Sequence, residues 1–295
     1  MSKKRSAVKK SRPSAKTKPA RTASKRGAMS VVMNKRKTVA DRLAAMTTLP
    51  LSAPGSDRSI KSLLVILRDQ EEPIEVRLTA LQAIGAAHFA SPNFAAVKRD
   101  YVATLREVAT DRDPEMRQRV LGILAREKDG FAQQALLGGL RDPAKALVPP
   151  EKALQLLAYD VHAEAYPIAR EIVNHPPNRT ARREALRLLG ADAGSVPIFE
   201  RILRDKSETP EIRQVSAAAL HGLDPSRLQA QVREIVMDPS EHDEMRETSL
   251  TAIQQLAPPA IAGDKQLMDR VAQLSTEASE PVKQSARQLL GKYKR

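Results

Sequence analysis

Apolar positions in this chain recur on a helical beat. With Arg77, Arg117, Arg182, Arg213 and Arg246 as reference points, a small or modest side chain follows at offset three, as Ala80, Val120, Ala185, Ser216 and Ser249. Offset four holds Leu81, Leu121, Leu186, Ala217 and Leu250, and offset seven holds Ile84, Leu124, Leu189, Leu220 and Ile253. Lys283 and, in a divergent copy, Pro150 occupy the same reference point, followed by Ala286, Arg287 and Leu290 and by Ala153, Leu154 and Leu157. Spacings of three, four and seven place these side chains on one face of an α-helix. The reference points are 40, 33, 32, 31, 33 and 37 residues apart. The near-identical phrases DPEMRQRVLGIL and TPEIRQVSAAAL, 96 residues apart, are therefore three periods apart.

The flanks of each stripe agree with helix ends. Pro73, Pro114, Pro177, Pro210, Pro239 and Pro281 come early, where a missing N–H costs nothing at a helix start. Gly85, Gly190, Gly222 and Gly291 are expected to cap the other ends. Glu75, Asp113, Glu115 and Glu211 suit the positive end of the helix dipole. Between these helices runs a second family, including SIKSLLVILRD (59–69), AYPIAREIVN (165–174) and SVPIFERILRD (195–205), with Pro167 and Pro197 one period apart. The unit is helix–turn–helix, too small to bury its apolar face alone, so neighbours must stack. The predicted fold is all-α, an α-solenoid (α-α superhelix) of about seven repeats over residues 57–295.

Composition narrows the picture. Aromatics are 3% of residues and Trp is absent, which suits helices meeting through small side chains rather than strands. With no Cys, disulfides and thiolate metal sites are excluded. No apolar run approaches the ~18 residues needed to span a bilayer, so the chain is read as soluble, intracellular and cytoplasmic, without a membrane span, and as a monomer. The net charge of +14 has a single source. Of 49 basic residues, 14 fall in residues 1–37, which hold no acid, leaving 35 to balance the 35 acids of the body. They are Lys3, Lys4, Arg5, Lys9, Lys10, Arg12, Lys16, Lys18, Arg21, Lys25, Arg26, Lys35, Arg36 and Lys37. Residues 1–37 are expected to be a disordered basic tail, residues 38–56 a short helix (TVADRLAAM) and linker, and the remainder the solenoid.

The D/T-P-E-M/I-R opening, the A-L-x-x-L/I stripe and the terminal Gly resemble the HEAT-repeat family, in particular its short bacterial, phycobilisome-lyase-type variety, over residues 57–292. That resemblance implies a solenoid whose second helices line the inner face. It implies little about activity, because members of the family serve as scaffolds, adaptors, enzymes or nucleic-acid binders. The register-locked Arg77, Arg117, Arg182, Arg213 and Arg246 are expected to bridge adjacent repeats by hydrogen bonds.

Catalytic signatures are absent from the sequence. A di-iron hydroxylase of this fold would present His-Glu pairs in register, whereas His88, His162, His175, His221 and His242 precede Phe, Ala, Pro, Gly and Asp. There is no Cys nucleophile, no G-x-S-x-G elbow and no Gly-rich phosphate loop. No catalytic residue, cofactor or metal is assigned, and the chain is read as a non-enzymatic scaffold or adaptor. The outward columns of the second helices give Gln82, Arg119, Lys152, Gln155, Arg187, Thr251 and Gln288 as candidate contacts for a protein partner. Those columns are polar and mixed, unlike the run of Lys and Arg that a duplex-binding groove needs. The tail adds non-specific polyanion contact, nucleic acid included, through charge alone. The alternatives are a nucleic-acid-binding solenoid in which tail and body act together and, by family analogy only, a lyase-type or other enzyme subunit.

Overall fold

The computed structural model describes residues 25–53, 55–90, 94–160, 163–256 and 263–293. Among them lie sixteen α-helices and no strand. The chain divides into two compact units, the first ending at Tyr101 and the second beginning at Val102. None of the described helices is long and apolar enough to cross a membrane.

The first unit holds α1 (Lys25–Met33), α2 (Val39–Thr47), α3 (Asp57–Arg68), α4 (Ile74–Ala90) and the start of α5 (Ala95–Val108). Here α1 packs on α2 and α3 on α4, while α1 meets α3 and α2 meets α4. First helices thus stack on first helices and second on second, as the repeat pattern requires. Ile60, Leu63, Leu64 and Leu67 of α3 close on Val76, Ala80, Leu81 and Ile84 of α4, all buried.

The second unit continues with α6 (Pro114–Arg126), α7 (Gly130–Arg141), α8 (Pro150–Leu157), α9 (Ala165–Asn174) and α10 (Arg179–Leu189). It ends with α11 (Val196–Arg204), α12 (Pro210–Leu223), α13 (Pro225–Met237), α14 (Asp243–Leu256), α15 (Lys265–Glu277) and α16 (Glu280–Tyr293). The second helices form one unbroken row in which α6, α8, α10, α12, α14 and α16 each pack on the next. Their small offset-three residues, Val120, Ala153, Ala185, Ser216, Ser249 and Ala286, are all buried. Side chains of that size let helices approach closely, and the adjoining Leu and Ile supply the apolar area, each worth about 1.5–3 kcal/mol when buried. The fold is an all-α solenoid of helix pairs.

Local chemistry sets the helix ends. Asp113 accepts the Met116 N–H at 2.8 Å, Asn178 accepts that of Ala181 at 2.7 Å, and Thr209 accepts that of Ile212 at 3.4 Å. Each satisfies one of the N–H groups that a first turn leaves unpaired. Pro114 and Pro210 begin their helices. The glycines do not behave as expected. Gly85, Gly222 and Gly291 lie inside α4, α12 and α16, and in α4 the buried stripe continues past the glycine to Ala87. Only Gly190 stands at a helix end, and its φ of −61° is not left-handed.

The expected tail also needs correction. Residues 1–24 lie outside the described residues, but Lys25–Met33 is helical, with Ala28 and Val32 buried on an i,i+4 stripe. The residues 38–56 assigned to a helix and linker hold α2, partner of α1 in a further pair ahead of the seven. Lys35 follows α1 and pairs with Asp69 at 2.6 Å, which raises its pKa, so this cation is engaged within the fold. Lys25 and Arg26 belong to α1, and Arg36 and Lys37 to the turn after it.

Candidate partner-binding face

Arg213 shows what the recurring arginine does. Its Nε donates to the Leu203 carbonyl at 2.9 Å, in the last turn of the paired first helix. Its Nη1 and Nη2 donate to Glu241 Oε1 and Oε2 at 2.8 and 2.6 Å, in the connector of the next repeat. Both side chains are buried, at 1% and 2% exposure. Arg182 repeats the arrangement, with Nε to Val173 O at 3.1 Å and the fork on Glu208, Nη1 to Oε2 at 2.7 Å. In the first unit Arg42 makes a one-pronged version, with Nε to Val32 O at 2.8 Å and Nη1 alone to Glu72 Oε2 at 2.6 Å. A planar fork on a carboxylate is the geometry that Arg supplies and Lys cannot.

The receiving connectors share a turn. Asp69, Asp205 and Asp238 accept the N–H two residues on, from Glu71, Ser207 and Ser240, at 3.0, 2.9 and 2.8 Å. The backbone thereby presents Glu72, Glu208 and Glu241 to the preceding arginine. Hydrogen bonds from Lys206 and from Ser240 hold the Asp238 carboxyl down at about 2. Burial pushes Glu241 up, but the Arg213 hydrogen bonds outweigh it and its pKa is lowered. Glu208 raises that of Arg182.

The other reference residues vary. Arg117 Nε crosses to Leu147 O at 2.7 Å, ahead of α8. Arg77 donates to Leu67 O at 3.1 and 3.0 Å. Arg246 bonds Asp243 and the Pro239 carbonyl of its own repeat at 2.6 and 2.7 Å, and Lys283 lies 3.9 Å from Glu280. Sequence reasoning passed over Arg42 and the whole glutamate set. The signal existed: Glu72, Glu208 and Glu241 each stand five residues before a reference arginine.

The seven candidate partner contacts all lie on second helices. Gln82, Arg119, Gln155, Arg187, Thr251 and Gln288 are exposed and Lys152 is half-buried. Arg119 is paired with Glu115 at 2.6 Å and Arg187 with Glu184 at 2.9 Å. Gln82, Lys152, Gln155, Thr251 and Gln288 make no side-chain hydrogen bond or ion pair among the described residues. Gln82 lines a groove of about 340 Å³ between α2 and α4, and Thr251 one of about 600 Å³ between α12 and α14.

Two residues outside that set sharpen the face. Arg126 lies with its guanidinium carbon 5.8 Å from the centre of the Tyr159 ring, and Tyr159 is 52% exposed. Arg126 makes no ion pair among the described residues. The face is therefore not evenly mixed. Arg119, Arg126, Lys152, Arg183 and Arg187 gather on α6, α8 and α10, whereas Glu244 and Glu247 line the groove between α12 and α14. No group of three or more His, Asp or Glu side chains placed to hold a metal occurs among the described residues. His88 instead packs against Phe94 and Tyr101, with ring centres 4.7 and 5.7 Å away. His162 lies outside the described residues.

Residues 36–149 match the family model of HEAT repeats. That span starts before the stripe of Arg77 and takes in Arg42. No curated protein matches the chain. Among solved structures, human deoxyhypusine hydroxylase in complex with glycerol is similar at 14% identity over 81% of this chain and 96% of that one, with a TM-score of 0.35. A likeness that slight has no bearing on chemistry.

Proposed function

We propose that this chain, whose residues 36–149 match the HEAT-repeat model, is a non-enzymatic HEAT-repeat scaffold or adaptor that holds a protein partner along its second helices. The observation that carries the reading is the set of polar side chains there which the fold leaves unused. Among the described residues Lys152 and Gln155 of α8 have no internal partner, and the Arg126 guanidinium of α6 lies over the Tyr159 ring. An Arg pre-positioned on an exposed aromatic costs little ordering on binding, and such pairs are common anchors of protein interfaces. The basic stretch on α6 to α10 favours a partner segment bearing acidic side chains. The same stretch keeps the second reading alive, a nucleic-acid contact made by body and tail together. An unbroken cationic track would favour it further, but Glu115 and Glu184 interrupt this one.

Affinity capture from the protein's own cells, with and without nuclease, separates the two. We expect a protein partner that survives nuclease and removal of residues 1–24 but is lost from the triple variant Arg126→Glu, Lys152→Glu, Gln155→Glu. An unchanged capture profile for that variant overturns the scaffold reading, and loss of all partners on nuclease treatment supports the second.

A further inference from the structure

The Arg–Glu bridge made by Arg42, Arg182 and Arg213 varies along the chain, and at α8 both of its members are replaced together. In the register that aligns Arg182 and Arg213, α8 has Pro150 where the arginine belongs, and the next connector has Pro177 where Glu208 and Glu241 stand in theirs. The helix is also truncated. Arg213 is the fourth residue of α12, but α8 starts at Pro150 itself, so the turn that would carry the arginine is not helical. In its place the connector 142–149 folds back on α7. Gly139 permits this, because a Cβ there would sit 2.9 Å from the Ala146 Cα. Where the Arg182 and Arg213 repeats hold a guanidinium and a carboxylate, a cavity of about 450 Å³ opens here, with Pro150 and Pro177 in its wall.

The interior is apolar, walled by Leu136, Leu140, Val148, Ile168 and Ile172. Three polar side chains stand at the exposed rim: Arg141 from the end of α7, and Glu171 and His175 from the end of α9. Neither Arg141 nor Glu171 has an ion pair or a side-chain hydrogen bond among the described residues. A volume of this size falls within the ~300–1,000 Å³ of small-molecule sites, which typically combine an apolar wall with a few polar groups that orient the ligand. Two rim charges of opposite sign, without internal partners among the described residues, match a ligand that carries one of each.

We propose that this cavity binds a zwitterion with an apolar body, a hydrophobic amino acid or dipeptide, its carboxylate on Arg141 and its ammonium on Glu171. The site lies within the second unit and does not depend on the scaffold reading. The paired proline replacement is what distinguishes it from an ordinary crevice between repeats: losing the arginine alone would strand a buried glutamate, and losing both leaves an apolar space.

The probe is the dipeptide Leu-Leu, titrated calorimetrically into the full chain beside its N-acetyl and C-amide derivatives. One saturable site is expected, with each blocked derivative weaker by about tenfold or more, the loss that follows when a charged group is left unpaired. Arg141→Ala should erase the preference over the amide, and Glu171→Gln the preference over the acetyl form. Both residues are exposed, so neither change threatens folding. Ala135→Phe, which fills the cavity from α7, should abolish binding with the unfolding midpoint unchanged. No saturable binding up to ~10 mM, blocked derivatives that bind as well as the dipeptide, or undiminished binding to Ala135→Phe would each overturn the proposal.

Discussion

A buried guanidinium and carboxylate are each expensive to remove from water, and together they are tolerated only while both remain. Arg213 and Glu241 are such a pair, joined by two hydrogen bonds and nearly inaccessible. Replacing one partner leaves an uncompensated buried charge, so Arg213→Ala should cost about 3–5 kcal/mol in denaturant unfolding, whereas the double variant Arg213→Met, Glu241→Leu should be close to neutral or stabilising. The pair also has a pH signature. The folded-state pKa of Glu241 lies below its ordinary value of 4.5. A depressed carboxylate contributes stability that is complete above the unfolded pKa and is lost as pH falls through the folded one. Acid unfolding followed by circular dichroism should therefore show a drop beginning below pH 4.5 that is smaller in the Met/Leu variant. An equal drop in both would mean that other carboxylates, such as Asp238, govern the acid limit.

Helices differ in how plainly the sequence announces them. The seven stripes were legible because a proline or acid start precedes small, Leu and Leu/Ile positions in most of them, Ala217 and Arg287 being the departures, and buried area follows that pattern. What escaped was the element without punctuation. The stretch TVADR lacks the proline and glutamate of TPEIR, and the cations around α1 mask a stripe of only Ala28 and Val32. Yet Thr38 caps α2 by accepting the Asp41 N–H at 3.1 Å, and Arg42 joins a first-helix carbonyl to a connector glutamate as Arg213 does, through one Nη rather than two. The glutamate acceptors were missed for another reason: they act across repeats, and a pattern read one helix at a time does not reveal pairs 26 to 30 residues apart. The cavity beside α8 was illegible for the same reason, since it needs both prolines at once. A test of the N-terminal boundary follows. Removing residues 1–24 should leave the melting temperature unchanged, while removing residues 1–37 deletes α1 with its buried Ala28 and Val32 and strips the Val32 carbonyl from Arg42, lowering the midpoint by about 5 °C or more. Equal midpoints for the two truncations would show that α1 adds nothing to the first unit.

At the scale of the whole molecule, that boundary changes how the charge must be tested. Of the 14 cations read as tail, five belong to α1 or the turn after it, and Lys35 is spent on Asp69. Nine remain in residues 1–24, with no acid among them. A truncation at residue 37 would confuse loss of charge with loss of α1, so the informative variant ends at residue 24. Binding by charge alone releases condensed counterions, and log affinity then falls linearly with log salt. If all nine engage, the slope should approach about −8 on duplex DNA and about −6 on a single strand, with no preference for sequence. Full-length protein should show that dependence, and protein lacking residues 1–24 should bind at least tenfold more weakly in ~0.1 M salt with a shallow slope. A steep slope persisting after truncation would move the contact onto the body, and the cations of α6 to α10, Arg126 and Lys152 foremost, would be its next candidates.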